Sequence, residues 1–312
     1  MAPLFVEAPD GLGIRLPRSG FKASGQGAAE AQNERGFVVR GGQAFAWTVE
    51  RIRETDDGLL LIGQAFHGWS VDERLAEGID GAKKLEYFVI MAKALATLAA
   101  VDNLPSPLRS AGVLLSQEGD VLILPPRLVA RALTGLDPAE AGSTLVDLRS
   151  PLEGKGEASF FLAQLLYRSL SGKRAFAPAA PGRESPSASE EFVPLALLLP
   201  GLDGELSDLV DRVLAGATPI GPSDWIAILG SAGERGFFRG LSGDDIRLFE
   251  TRRQAVERAI SRRSSRRTFF RKRGSLLVGV AVVTLAVGIF TGSILAGRSG
   301  RPDLSSLSPP AL

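Results

Sequence analysis

The sequence predicts an α+β fold in which β-strands come first and helices follow, together with one C-terminal helix that crosses a membrane. Short alternating or apolar runs between residues 36 and 66 predict the strands, because the side chains of a strand alternate between its two faces. Helical spacing of apolar residues from about residue 70 onward predicts the helices. An uncharged run over 275–296 predicts the membrane span.

The N-terminal part divides into two regions. Residues 1–35 are rich in glycine, alanine and proline and show little periodicity, so they are expected to be irregular. Residues 36–70 are expected to form a β-rich region. Its strands are expected at 37–39, 45–49 and 59–62, with turns at 41–42 and 56–58.

Residues 71–235 are expected to be mainly helical. An apolar stripe at three- and four-residue steps runs from Leu85 to Ala99, and Pro105 and Pro107 break the helix that carries it. Two short apolar runs then predict a β-hairpin. Its strands are expected at 113–115 and 121–124, around the turn Glu118-Gly119-Asp120.

A second helix is expected at about 157–171, and it should be buried because most of its faces are apolar. Gly172 is well placed to end it. Two further helices are expected near 205–215 and 222–231, with Ser223 as the N-cap of the second. A basic, charged helix is expected over 241–274, directly before the span.

The C-terminal span and its flanks predict how the chain sits in a membrane. Residues 275–296 are 22 residues without a charge, and as a helix they would be about 33 Å long, enough for a hydrocarbon core of roughly 30 Å. Ten basic residues precede the span within 252–273, whereas only Arg298 and Arg301 follow it. The positive-inside rule therefore places the N-terminal body in the cytoplasm and residues 297–312 outside it, as a short tail of a single-pass cell-membrane protein.

Two sets of residues near the span are candidate contact sites. Five basic residues directly before it are expected to contact anionic lipid head groups, although they could serve only as a topology signal. These five are Arg266, Arg267, Arg271, Lys272 and Arg273. Small residues recur every fourth position at Gly288, Gly292 and Ala296, a spacing that lets two helices approach closely. A homodimer through this helix face is the second expectation.

Composition excludes several function classes. Residues 1–251 carry 24 basic and 33 acidic side chains, a net charge of −9, which does not fit a nucleic-acid-binding body. The absence of cysteine excludes disulfides, thiolate zinc sites and cysteine nucleophiles. The one histidine, His67, excludes a multi-histidine metal site and is expected in a turn or at the surface. No cofactor or metal is predicted.

The order of these elements resembles the eukaryotic-like protein kinase fold of bacterial Ser/Thr kinases, over about residues 55–231. The helix at 85–100, the proline-containing loop and the run GVLLSQEGDVLILPP resemble the helix, catalytic loop and hairpin of the kinase C-lobe. The run ASFFLAQLLYRSLSGKRAF resembles its central helix, and LSDLVDRVLAGATPIGPSDWIAIL resembles its closing helices. The resemblance implies a reduced β-rich N-lobe, a helical C-lobe and a buried central helix around Phe160–Leu170.

The positions that would carry phosphoryl transfer do not match this family. The reaction needs a base for the hydroxyl, metal-binding Asp and Asn residues, and a lysine on the phosphates. The resemblance places the base on Pro107, the Asn on Gly112 and the metal-binding DFG triplet on Pro125-Pro126-Arg127. The Asp that opens the central helix and ties down the catalytic loop falls on Ala158. No lysine lies between Lys22 and Lys83, so the β-rich region lacks a phosphate-binding lysine.

Both residues of a structural ion pair of the family are also missing. Its acidic half falls on Pro151-Leu152 and its arginine falls on Gly221. The absence of both partners is consistent with a folded domain, because removing only one would leave a buried charge uncompensated.

The leading hypothesis is a membrane-anchored pseudokinase that acts as a protein-binding scaffold or regulator on the cytoplasmic face. The first alternative is an atypical active Ser/Thr kinase that binds ATP with displaced acids. The candidates for these acids are Glu118, Asp120, Asp137 and Asp147. The second alternative is a structural membrane anchor without a kinase-like fold. If the Phe160–Leu170 helix were not the buried centre of a helical region, the kinase resemblance would be wrong and this second alternative would be favoured.

Overall fold

The computed structural model describes residues 5–8, 11–17, 31–76, 79–133, 154–176, 191–216 and 220–263. The chain forms two compact units, residues 1–253 and residues 254–312. The first unit contains all of the strands described below. Of the second unit, residues 254–263 are described, and they are helical.

Eight strands form one antiparallel sheet in the order β1-β2-β5-β4-β3-β8-β7-β6. They are β1 (Phe5–Ala8), β2 (Gly11–Pro17), β3 (Arg35–Arg40), β4 (Gln43–Thr55), β5 (Gly58–Gly63), β6 (Trp69–Ser70), β7 (Val113–Leu115) and β8 (Val121–Ile123). The long strand β4 pairs with β3 through its first half and with β5 through its second half. A register shift between Val49 and Arg51 separates the two halves, and such a bulge bends the strand.

The helices are α1 (Val71–Ala76), α2 (Gly81–Ala100), α3 (Pro126–Leu133), α4 (Lys155–Ser171), α5 (Leu195–Leu198), α6 (Gly204–Leu214) and α7 (Pro222–Glu234), followed by α8 over 243–263. Asp80 caps α2 by accepting a hydrogen bond from the Ala82 amide at 3.1 Å. Gly172 ends α4 in the left-handed conformation, at φ 68°, which glycine adopts without steric cost. A 3₁₀ turn, Ser110–Gly112, leads into β7.

Most of the predicted elements are confirmed. The predicted strands lie within β3, β4 and β5, the predicted hairpin is β7–β8, and the predicted helices correspond to α2, α4, α6 and α7. The strands-first order of an α+β fold is confirmed as well. The predicted charged helix is present over 243–263, and the rest of 241–274 beyond residue 263 lies outside the described residues.

Two local predictions are wrong. Residues 5–8 and 11–17 are not irregular, because β1 and β2 pair with each other and β2 pairs with β5, with Ile14 opposite Leu61. Ser223 does not cap α7. Gly221 is the N-cap, Pro222 occupies the first helical turn, and the Asp224 carboxylate accepts a hydrogen bond from the Gly221 amide at 2.8 Å.

One hydrophobic core, the helical core, surrounds α4. Phe160, Leu162, Leu165 and Leu166 have no exposed surface. The residues around them come from α2, α6, α7 and one face of the β7–β8 hairpin. They include Phe88, Leu95, Leu206, Leu209, Trp225, Val113, Leu115, Val121 and Ile123. The expectation that the Phe160–Leu170 helix is the buried centre of the helical region is confirmed.

A second core, the sheet-side core, lies on the opposite face of the same hairpin. Leu114, Leu122 and Leu124 point into it from the hairpin. Most of its other members come from the N-terminal strands and from α3. They include Leu12, Ile14, Leu16, Trp47, Leu61, Leu128, Val129 and Ala132. The hairpin therefore separates two apolar cores, and α3 is enclosed between it and the N-terminal strands.

The predicted membrane segment lies outside the described residues. No helix within the described ranges is both long enough and apolar enough to cross a bilayer. The span over 275–296, its small residues Gly288, Gly292 and Ala296, and the predicted lipid-contacting residues at 266–273 all fall in the part of the chain after residue 263.

Candidate functional site

The loop between α2 and β7 occupies the place of the catalytic loop in the sequence resemblance. It contains a cis peptide bond between Ser106 and Pro107. The Ser106 hydroxyl donates a hydrogen bond to the Glu157 carboxylate, with Oγ 2.7 Å from Oε2. Glu157 lies in the first turn of α4 and is 9% exposed. The loop is therefore tied to the central helix through a carboxylate.

This contact corrects the expectation that the tie between loop and helix is lost at Ala158. The neighbouring acid Glu157 makes it, one position earlier in the helix than the family pattern predicts. A sequence search that allowed a shift of one residue would have found it. A buried carboxylate needs a hydrogen-bond donor, and Ser106 supplies one.

Gly112, where the resemblance places the metal-binding Asn, has no room for a side chain. A Cβ atom built on Gly112 would lie 2.7 Å from Cγ2 of Val129 and 3.3 Å from its Cγ1. Val129 belongs to α3 and is 1% exposed, so it is held by the packing around it. The Gly112 carbonyl accepts a hydrogen bond from the Leu124 amide at 2.8 Å, which fixes the backbone at this point.

The triplet at 125–127 starts a helix instead of presenting a metal ligand. Pro126 is the first residue of α3, a position that suits proline because its missing N–H would have no partner there. Pro125 is buried. The Arg127 side chain is 79% exposed and lies 3.4 Å from the Glu34 carboxylate.

The N-terminal strands close over this region with apolar side chains. Ile14, Trp47 and Leu61 have no exposed surface and face the sheet-side core. The Trp47 indole donates a hydrogen bond to the Gln64 carbonyl at 3.0 Å, which satisfies its buried N–H. Helix α3 packs directly against β2. The space between the strands and the hairpin is thus filled by a hydrophobic core.

The candidate displaced acids are not gathered into one cluster by the described structure. Glu118 is exposed in the β7–β8 turn. Asp120 accepts a hydrogen bond from Arg40, with Nε 2.6 Å from Oδ2, and so joins the hairpin to β3. Asp137 and Asp147 lie outside the described residues. Within the described ranges, no group of three or more acidic or histidine side chains is placed to hold a metal ion.

Two further sequence expectations concern basic residues. The described strands before residue 64 contain no lysine, as expected, and the basic residue of β2 is Arg15, which is exposed. His67 lies exposed in the segment before β6, which confirms its expected place.

The Pro151-Leu152 half of the missing ion pair lies outside the described residues, and Gly221 is the N-cap of α7.

Two acids with shifted pKa values, Asp203 and Asp211, join parts of the helical region. Both oxygens of Asp211 lie within hydrogen-bond distance of the Leu195 amide, at 2.9 and 3.2 Å. Burial raises the pKa of Asp211 to about 6, against the opposing effect of this hydrogen bond. Arg235 donates two hydrogen bonds to Asp203, at 2.8 and 2.9 Å, and these lower the pKa of Asp203. Both contacts join parts of the α5–α7 region.

The described residues have the element order of a protein-kinase-like fold. An antiparallel sheet is followed by a helix, a loop, a hairpin, a fully buried central helix and two closing helices. The helical core is packed around that central helix, as the sequence resemblance implied.

Comparison with known proteins gives structural neighbours alone. No protein-family model and no curated protein matches the sequence. Among solved structures, the crystal structure of the Mycobacterium tuberculosis PknI kinase domain is similar with a TM-score of 0.44 and 13% sequence identity, over 73% of this chain and 89% of that one. A mutant of the same domain gives a TM-score of 0.37 and 14% identity, over 60% of this chain and 70% of that one.

Proposed function

We propose that this chain is a catalytically silent, kinase-like protein that is anchored in the cell membrane and binds another protein on the cytoplasmic face. The observation that carries the first part is the contact between Val129 and the Cβ position of Gly112. Helix α3 fills the space that a metal-binding side chain would need. The loss of ligands and the closure of the site therefore occur at the same place.

Chemistry supports the same proposal. Phosphoryl transfer depends on positioning the phosphates and stabilising their charge with metal ions and a lysine. The matching positions here carry Pro107, Gly112 and Pro125, whose side chains hold neither a proton acceptor nor a metal ligand. An apolar core would also disfavour the charged phosphates of a nucleotide, because burying unpaired charge is costly.

A protein-binding role is supported by an exposed aromatic and cationic surface at the start of the helical region. Trp69 is 41% exposed, and the Arg74 guanidinium lies 4.6 Å from its ring centre. The same guanidinium donates a hydrogen bond to the Tyr87 hydroxyl at 3.2 Å. Tryptophan, tyrosine and arginine are the side chains most enriched at the energetic centres of protein interfaces. The Trp69–Arg74–Tyr87 surface is therefore the proposed docking site for the partner protein.

Membrane anchorage is supported by the sequence of the C-terminal part. The 22 uncharged residues at 275–296 are long enough to span a bilayer, and ten basic residues precede them. The proposed orientation keeps residues 1–274 on the cytoplasmic side.

The catalytic part of the proposal is tested with the purified full chain in detergent, supplied with Mg·ATP or Mn·ATP and a general protein substrate. We expect no transfer of labelled γ-phosphate above a no-enzyme blank, and no saturable nucleotide binding by calorimetry. Phosphotransfer that rises in proportion to the amount of the chain, or binding in the micromolar range, would contradict catalytic silence.

Anchorage and partner binding need separate experiments. Deleting 275–296 should move the protein to the soluble fraction, whereas deleting 298–312 as a control should leave it in the membrane. For the partner, cross-linked complexes from native membranes are compared between the wild type and Trp69→Ala with Arg74→Ala. A specific complex should be lost in this variant and kept in Arg212→Ala, an exposed arginine on α6. Equal complex yields in all three would overturn this docking site.

A further inference from the structure

The chain leaves α7 through a short segment that is paired with the residues before α6. Leu202 and Phe238 form an isolated antiparallel β-bridge. Two backbone hydrogen bonds flank it, from the Asp203 amide to the Phe237 carbonyl at 2.9 Å and from the Arg239 amide to the Gly201 carbonyl at 2.8 Å. The first residues after α7 are therefore tied to the domain by their backbone, and they do not form a free linker.

An arginine fork reinforces this pairing. Arg235, the first residue after α7, donates two hydrogen bonds to Asp203, from Nε at 2.8 Å and from Nη2 at 2.9 Å. The same Nη2 lies 2.9 Å from the Glu205 carboxylate. The Asp203 side chain is 11% exposed, and it also caps α6 by accepting a hydrogen bond from the Leu206 amide at 3.1 Å. Because a bidentate contact holds both groups in one geometry, the fork fixes the end of α7 against the start of α6.

Close packing leaves the segment little room to move. A Cβ atom built on Gly201 would lie 2.9 Å from the Arg239 carbonyl oxygen, so the two backbones touch at this point. One side of the Phe238 ring lies against the start of α2, since a Cβ atom built on Gly81 would be 2.9 Å from the ring. The segment is thus held against two helices, α2 and α6.

Helix α8 begins directly after these contacts. We call residues 201–205 and 235–239 the exit clamp, and two residues separate it from Ser242, the residue before α8. The Ser242 hydroxyl donates a hydrogen bond to the Asp245 carboxylate at 2.7 Å and accepts one from the Asp245 amide at 3.2 Å. Such a capping pair fixes the first turn of a helix. The start of α8 belongs to the same compact unit as the exit clamp.

We infer that the exit clamp makes the helical region and the first turns of α8 one rigid body, so that the start of α8 moves with the domain. This inference deepens the proposed function and rests on its anchorage, because α8 leads toward the proposed span. A flexible linker at this place would uncouple the domain from α8. With the clamp closed, a partner protein that shifts the α6–α7 region shifts the start of α8 as well.

The inference is tested by measuring the distance between two spin labels on the full chain in detergent. The chain has no cysteine, so Lys93→Cys on α2 and Arg247→Cys on α8, both at exposed positions, give two labelling sites. Dilution with unlabelled chains restricts the measurement to distances within one chain. We expect one narrow distribution, whereas a flexible linker over 235–242 would spread the distances over about 15 Å.

A release variant should widen this distribution at least about twofold, because its clamp segment becomes a flexible linker. The variant combines Arg235→Ala, which removes the arginine fork, with Gly201→Val, whose side chain would collide with the backbone across the clamp. The matched control combines Lys83→Ala, which removes another exposed ion pair of the helical region, with Gly204→Val, where the added Cβ meets no described atom within 4 Å. The control should keep the narrow distribution.

A second pair of labels checks that the domain stays folded. Lys93→Cys with Arg212→Cys places the labels on α2 and α6, and this distribution should stay narrow in the wild type, the release variant and the control. Widening of the α2–α8 distribution alone then assigns the effect to the clamp. If the release variant unfolds and both distributions widen, the α2–α8 distribution of the wild type decides: a narrow one supports the clamp and a broad one overturns it.

The outcomes separate this inference from the proposed anchorage. A broad α2–α8 distribution in the wild type, or an equally narrow one in a folded release variant, would overturn the clamp and leave anchorage standing. Anchorage is decided by the fractionation of the 275–296 deletion. A chain that does not enter the membrane fraction would overturn anchorage, while the distances measured in detergent would still test the clamp.

Discussion

The two cores on either side of the β7–β8 hairpin differ in the elements that build them. The helical core is built around a buried central helix, which the resemblance predicted. The sheet-side core lies on the other face of the hairpin, and α3 contributes Leu128, Val129 and Ala132 to it. The comparison shows that one hairpin can support two cores, one built mainly from helices and the other mainly from strands that lie far away along the chain.

The cores also differ in their polar content. The helical region contains buried polar side chains with partners, including the Ser106–Glu157 hydrogen bond and a hydrogen bond from the Ser159 hydroxyl to the Ile220 carbonyl. Such contacts fix the position of loops against α4, because an unsatisfied buried polar group is costly. The sheet-side core depends more on side-chain shape, as the contact between Gly112 and Val129 shows, although the Trp47 indole within it also donates a hydrogen bond to the Gln64 carbonyl. Substitutions in the two cores should therefore destabilise the chain for different physical reasons.

The largest effect is expected at the centre of the helical core. Leu165→Asp, or Phe161→Asp beside it, would bury an unpaired charge at a position that has at most 3% exposure. We expect a loss of more than about 4 kcal/mol, enough to unfold a domain of ordinary stability. Leu165→Met is the control, since a volume-conserving change usually costs less than about 1.5 kcal/mol. Soluble yield and near-ultraviolet circular dichroism measure the effect, and a folded Leu165→Asp protein would show that α4 is not the centre.

A truncation in the sheet-side core is the second test. Leu128 of α3 has no exposed surface, so Leu128→Ala should cost about 2–5 kcal/mol. We expect hydrogen exchange to rise mainly in β2 and α3, whereas α4 remains protected. Arg127→Ala, one residue away and 79% exposed, is the control and should have little effect. Equal loss of protection in α4 would mean that the two cores unfold as one unit.

The sequence predicted the helical region better than the sheet-side core, for a physical reason. The apolar spacing of α2 and α4 is long and regular, and Gly172 supplies a recognisable end. Strand β2 has only seven residues within a segment rich in glycine and proline, so its alternation of Leu12, Ile14 and Leu16 was missed. Its burial depends on pairing with β5, far along the chain, which local pattern does not reveal.

For the candidate site, the sequence predicted only which positions depart from the kinase pattern. The departures from the kinase pattern at Pro107 and Gly112 were evident from the sequence, because the side-chain type alone decides them. The replacement tie from Glu157 and the filling by Val129 required three-dimensional contacts between residues 17 to 51 positions apart. Helix α3 was also missed, since eight residues after two prolines are too short for a clear periodic signal.

The contact between Gly112 and Val129 predicts a coupled pair of substitutions. Gly112→Ala adds a carbon 2.7 Å from Val129 Cγ2, so it should destabilise the full chain by about 1–3 kcal/mol. Val129→Ala alone leaves a cavity and should also destabilise. In the double variant the new methyl group partly fills that space, so the combined loss should be smaller than the sum by about 1 kcal/mol. Denaturation midpoints of the four proteins give this coupling, and strict additivity would contradict steric closure of the site.

The smallest effect concerns charge in the helical region and depends on pH. Burial raises the pKa of Asp211 to about 6 in the folded chain, above its ordinary value of 3.8. Between these two values the folded state holds a proton that the unfolded state has released, so stability falls as pH rises through this window and then levels off.

Asp211→Asn keeps an oxygen for the Leu195 amide and removes the buried charge. It should therefore stabilise the chain at pH 7.5 by on the order of 1 kcal/mol, a value reduced for solvent screening, and by almost nothing near pH 4. Glu234→Gln, at an exposed position on α7, should change stability little at either pH. Thermal melts at both pH values measure the difference, and a stabilisation by Asp211→Asn that is equal at pH 4 and pH 7.5 would show that the buried charge is not its cause.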